Sequence, residues 1–333
     1  MAKRRVNYKI KLLCAVLAFV AAVIVSLCLG AVNFSPTEFF KILTGEADSV
    51  VKSVFLYSRL PRTLACILSG AALAVSGGVL QSVLSNKLAS PSIIGVNAGA
   101  GLGVTLACAF GAVSGWTISA AAFAGSLLTV TVISIFAVKT GASKTTVILG
   151  GVAFNAILNA ICESVAVLDS DVAAMSVDFR VGGFSSVSYE RLLPAAVFII
   201  LCLLILLTLC NELDVVTLGD ETARGVGMNV DKYRIIFLII SAILAGAAVS
   251  FSGLLGFIGL IVPHFVRRIV GSESSKFIPL CMLTGGAFVA LCDSFSRFIF
   301  APFEMPVGVL MAVIGGPVFI ALLVRTRGGR RDA

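Results

Sequence analysis

Apolar residues run along this chain in stretches of about 20, the length an α-helix needs to cross roughly 30 Å of hydrocarbon, separated by short polar segments. The stretches do not alternate apolar and polar positions as barrel strands do, so helices are the spanning element. The pattern predicts ten spans, near 12–31, 64–81, 93–111, 116–138, 146–168, 192–210, 235–251, 254–268, 278–295 and 306–324. Three depart from the simple form: 93–111 is glycine-rich, 254–268 is short and contains Pro263, and 278–295 carries Asp293. Composition agrees, since 59% of the 333 residues are hydrophobic and 13% charged, against about 45–50% and about 25% in soluble domains. The fold class is all-α, a polytopic membrane protein of about ten transmembrane helices forming one domain, 1–333.

Charge orients the spans. With both termini cytoplasmic, 18 of the 25 Lys and Arg residues fall inside and seven outside: Lys41, Lys52, Arg59, Arg62, Arg180, Arg191 and Arg297. That asymmetry is the positive-inside pattern of a multi-pass membrane protein with both ends inside. The net charge of +8 is thus a topology signal, and no basic soluble domain exists to bind nucleic acid. MAKRR before an apolar run resembles a signal peptide, but the run is too long and lacks a small-x-small cleavage site, so it reads as an uncleaved first span. Nine cysteines are scattered singly, without metal-ligand or disulfide spacing.

The chain also resembles itself. GAALAVSG (70–77) and GAAVSFSG (246–253) share small residues at one spacing, which lets helix backbones approach closely in lipid. They lie in the second and seventh spans, so they run in opposite directions. The expectation is an inverted five-helix repeat, with halves of about 1–190 and 191–333. Outside, 32–58 and 169–190 are the longest loops. Inside, 211–233 is the one substantial polar segment; its centre, Asp220 to Arg224 between Gly219 and Gly225, suits a short interfacial helix that offers a surface to a cytosolic partner.

Chemistry is scarce. No G-x-x-x-x-G-K-[ST] phosphate loop occurs, and GASKTT at 141–146 lacks its spacing. If ATP drives this protein, another chain hydrolyses it; no catalytic residue, metal site or cofactor is expected here. Ion relays use several ionisable groups within the membrane, whereas only Glu163 lies well inside a predicted span. His264, the single histidine, has no Cys, Asp or Glu at ligand spacing. It reads as structural, bonding carbonyls freed by Pro263 in a short, broken span.

Four segments carry a family resemblance: SRLPRTLACILSGAALAVSGGVLQSVLSNKLASPSIIGVNAGA (58–100), LGDETARGVGMN (218–229), GLLGFIGLIVPHFVRRIVG (253–271) and CDSFSRFIFAPFEMPVGVLMAVIGGPVFIALL (292–323). In order and over nearly the whole chain, they resemble FecCD permeases of ABC importers for ferric siderophores, haem and cobalamin. The resemblance implies a type II ABC importer permease with ten spans, paired with a second copy or a homologue around a path on the dimer axis. Cytosolic ABC ATPase subunits would bind below, and an extracytoplasmic substrate-binding protein would deliver the chelate from above. It places binding-protein docking on Arg59, Arg62 and Arg297, ATPase coupling on Asp220, Glu221 and Arg224 within 217–229, and a cytoplasmic gate at Asn86, Leu88, Ser143 and Thr145. Lys87 stands where the family often has proline, and Phe179 and Gly183 where tryptophan and serine are frequent.

The path-lining expectation is Asn97, Asn155, Asn159 and Ser164, polar but uncharged groups that suit a bulky chelate held weakly. The function expected is inward translocation of a ferric siderophore or similar metal chelate. Haem or cobalamin import is the alternative, and an ion-coupled secondary transporter is the competing class.

Overall fold

A computed structural model describes residues 7–29, 41, 44, 48–112, 114–139, 144–299 and 303–328. Among them are thirteen helices and no strand: α1 (Tyr8–Cys28), α2 (Ser49–Val83, with a π turn over Phe55–Arg59), α3 (Val96–Ala109), α4 (Gly115–Lys139), α5 (Lys144–Leu168), α6 (Ser170–Val181), α7 (Tyr189–Thr208), α8 (Cys210–Thr217), α9 (Asp220–Gly225), α10 (Val230–Ser252), α11 (Ile258–Val270), α12 (Ser274–Ile299) and α13 (Val307–Gly328). Each of the ten expected spans falls on one helix. Among the described residues seven are long and apolar enough to cross a membrane unaided; α3 and α11 are shorter, at 14 and 13 residues, and α13 runs over 22.

Helices also stand where loops were expected. The segment 169–190 holds α6, because Asp169 accepts from the main-chain N–H groups of Asp171 (2.9 Å) and Val172 (3.2 Å) and so caps a helix start. Residues 49–58, expected as part of a loop, are instead the first turns of α2, which begins at the Asp48 cap.

Helices α2 and α10 form the enclosed centre. They pack on each other, joined by a hydrogen bond from Ser76 Oγ to the Ser241 carbonyl at 2.7 Å. Packing partners recur at an offset of five spans: α2 against α12 is answered by α10 against α4, α3 against α4 by α11 against α12, and α3 against α5 by α11 against α13. The first glycine of each repeated motif occupies a matching contact. A Cβ on Gly70 would lie 2.2 Å from the Gly285 carbonyl oxygen on α12, and one on Gly246 would lie 2.2 Å from Ser126 Oγ on α4. Close approach thus explains the repeated motif in both halves.

The two irregular stretches are stitched to their neighbours, as backbone at membrane depth must be. Before α3, the carbonyls of Ser92 and Ile93 accept from Asn155 Nδ2 at 2.8 and 3.1 Å. In α11, Pro263 has no N–H to offer the Gly259 carbonyl four residues back. The Gln81 side-chain amide donates to it instead at 3.0 Å. This corrects the expected role of His264, whose Nε2 has no hydrogen bond among the described residues. Arg267 locks the same seam from below, donating to Gln81 Oε1, the Gly78 carbonyl and Ser82 Oγ at 2.8–2.9 Å and lying over the Phe277 ring.

Candidate transport and coupling sites

At the cytoplasmic end, by the charge assignment, α9 stands between Gly219 (φ +101) and the Gly227 turn (φ +85), backbone that glycine adopts readily. Only Ala223 of this helix is buried. Glu221, Thr222 and Arg224 are exposed, flanked by Leu218 and Val226 at 63% and 68% exposure. Both ends of the helix are tied down by charge. Asp220 pairs with Lys144 Nζ at 2.9 Å and with Arg234 at 2.6 Å, while Arg224 pairs with Asp231 at 3.1 Å. Burial works against ionisation of Asp220, but the bonds from Lys144 and Arg234 outweigh it and hold the carboxyl below the ordinary aspartate value. A depressed carboxyl contributes its stability above the unfolded pKa and loses it only as pH falls through the folded value. The tie is therefore intact at neutral pH and is lost only in acid, below the ordinary aspartate range.

The expected gate residues converge on the same corner. Asn86 Oδ1 accepts from the Leu88 main-chain N–H at 2.9 Å, closing a tight turn that leaves Leu88 exposed. Thr145 is exposed on the first turn of α5. Lys144 Nζ also donates to Ser85 Oγ at 3.1 Å, which brings the 85–88 turn and the start of α5 together. Ser143 lies outside the described residues.

At the opposite end, the three arginines expected to dock a partner meet inside the protein. Asp293, fully buried, receives Arg62 in a two-pronged bond (3.0–3.2 Å) and Arg297 at 3.0 Å. Arg62 reaches on to Glu304 at 2.8 Å, and Arg297 to the Ser26 carbonyl at 3.3 Å. Arg59 donates to the carbonyls of Leu27 and Leu29 at 3.2 and 2.8 Å. Arg59 and Arg297 are 6% and 3% exposed, and Arg62 with Glu304 carries the cluster to the surface. Beside them is a cavity of about 340 Å³ whose wall includes Arg62, Asp178, Arg191 and Glu304.

The uncharged candidates separate. Asn155 holds the 92–93 carbonyls, and Asn97 Oδ1 is buried without a hydrogen bond among the described residues. Asn159 and Ser164 lie on the exposed side of α5, of which only Val147, Gly151 and Cys162 are buried. Ser164 Oγ donates back to the Ala160 carbonyl.

Residues 17–325 match the FecCD transport family. The chain belongs to that family. Relatives among FecCD proteins include the Fe(3+)-citrate import system permease protein YfmD of Bacillus subtilis, 32% identical over 98% of both chains, and the hemin transport system permease protein HmuU of Yersinia pestis, 32% identical over 94% of this chain and 96% of that one. The fold is similar to that of a solved metal-chelate type ABC transporter in an inward-facing conformation, with TM-score 0.85 and 30% identity over 94% of this chain and 98% of that one. The FecCD chain is thus a multi-pass membrane permease.

Sequence reasoning on this FecCD permease missed Lys144, Gln81, Asp293 and Glu304 as organisers. Asp293 carried a signal, an acid within a span. Gln81 lies one helical turn beyond Gly77, whose missing Cβ admits Gly259, so only the fold reveals its partner.

Proposed function

We propose that this chain is the transmembrane permease subunit of an ATP-binding-cassette importer that moves a ferric siderophore or similar metal chelate into the cytoplasm. ATP hydrolysis belongs to separate cytosolic ATPase subunits. The observation that carries this reading is α9: a short helix held at both ends by ion pairs, presenting Glu221, Arg224, Leu218 and Val226 outward. A rigid, part-apolar surface suits a protein partner that pushes on it. The Fe(3+)-citrate and hemin permeases among the relatives support a metal chelate as cargo.

The remaining assignments follow. A second permease copy or a homologue covers the exposed side of α5, and the path runs between them past Asn159 and Ser164, with Asn97 and Asn155 behind. Asn86 and Leu88 of the 86–88 turn, with Ser143 and Thr145, form the inner gate. An extracytoplasmic binding protein docks on the face around Arg62 and Glu304, with Arg59 and Arg297 shaping that face from within. Both termini are cytoplasmic, and residues 1–190 and 191–333 are the repeat halves of one domain. The test is co-expression with the candidate ATPase and reconstitution in nanodiscs. The expected result is ATP hydrolysis stimulated by the binding protein and weakened by Arg62→Glu. If no ATPase co-purifies, the reading fails.

A further inference from the structure

Lys144 is marked by no motif, yet it sits where three elements meet. Its ammonium is 3.1 Å from Ser85 Oγ in the turn after α2 and 2.9 Å from Asp220 Oδ1 at the start of α9, while its own backbone begins α5. Asp220 Oδ2 takes Arg234 at 2.6 Å, which fixes the same carboxylate to α10. The two ends of α9 are held unequally. Arg224 and Asp231, at its far end, are both about 60% exposed, and such pairs contribute little. Lys144, Asp220 and Arg234 are 23%, 35% and 16% exposed, so water screens them less and their geometry is better fixed. Ser85 holds φ +49, the left-handed conformation that ends a helix, and main-chain bonds from Ser85 to the Ser82 carbonyl and from Asn86 to the Gln81 carbonyl close the turn. Lys144 ties that closed turn to the start of α5.

We propose that Lys144 is the positioning residue that links the coupling helix to the inner gate. Displacement of α9 reaches α5 and the 85–88 turn through Asp220 and Lys144 together, so the turn follows the lever. This rests on the reading of α9 as the ATPase contact and of 86–88 as the gate.

The experiment uses the full transporter in nanodiscs, carrying Leu88→Cys as a reporter for an impermeant maleimide, compared without nucleotide and after vanadate trapping. The same chain lacking Leu88→Cys supplies the background from native cysteines. The parent should label at rates differing about tenfold between the two states, and Lys144→Met should reduce that difference to under about twofold, a coupling loss within the usual range. ATP hydrolysis should continue in that variant, Lys144→Arg should restore the difference, and Asp220→Asn combined with Lys144→Met should be no worse than either alone. An unchanged labelling difference in Lys144→Met, or a parallel fall in hydrolysis and labelling, overturns the link while leaving the importer reading standing. A parent whose labelling ignores nucleotide overturns the underlying reading and the link with it.

Discussion

Asp293 concentrates the electrostatics of the outer end on one carboxylate, which holds Arg62 and Arg297 while itself fully enclosed. Removing one partner of such a group costs more than replacing the whole set, because the charges left behind stay buried and unpaired. Asp293→Leu should therefore lower stability by about 3–5 kcal/mol, read as a drop in the thermal midpoint in detergent. Asp293→Leu with Arg297→Leu should recover part of that loss; a double variant worse than the single would mean that the arginine is stabilised by other groups. Gln81 invites a second test of the same kind. Its amide serves both the carbonyl freed by Pro263 and Arg267, so Gln81→Leu leaves the buried Gly259 carbonyl unmet, at about 1–3 kcal/mol, and takes one of three acceptors from Arg267. Gln81→Glu keeps the acceptor for Arg267 but not the donor to Gly259, and should fall between the two in the same melt.

The helices themselves were legible in the sequence, because each span announces itself by apolar length, and the small-residue motifs at 70–77 and 246–253 reported which helices lie closest. Capping was legible only in part: helices stand where loops were expected behind Asp169, which caps α6 with two main-chain bonds, and Asp48, which caps α2 with one. The candidate sites were less legible, since motifs mark residue types and not the partners that occupy them. Arg59, Arg62 and Arg297 read as free cations on a basic-poor face, yet the fold gives all three internal partners separated by tens to hundreds of positions in the chain. Matched packing in the two halves carries its own prediction. Gly70→Leu and Gly246→Leu each force a side chain into a contact with no room for a Cβ. Overpacking of this kind costs about 1–3 kcal/mol or more, and the two variants should lower the thermal midpoint similarly. Gly150, whose Cβ would meet nothing within 4 Å, should tolerate alanine at the same temperature.

For the molecule as a whole, direction is the property on which every functional assignment depends. By the charge assignment eighteen basic residues fall on one side and seven on the other, and the fold sharpens the contrast, because two of the seven, Arg59 and Arg297, are buried and Arg62 is mostly so. The face assigned as outer is therefore poorer in exposed positive charge than the count alone says. The basic side includes α9 and the Lys144 corner; the other includes the Asp293 cluster and α6. Cysteines introduced at Val177 on α6 and at Leu218 beside α9, both well exposed, read this directly in intact cells. Val177→Cys should react with an impermeant maleimide added outside, whereas Leu218→Cys should react only after the membrane is opened. The reverse pattern would put α9 outside, out of reach of a cytosolic ATPase, and would remove the importer mechanism at once, since the lever, the gate and the docking face are all assigned by which side they occupy.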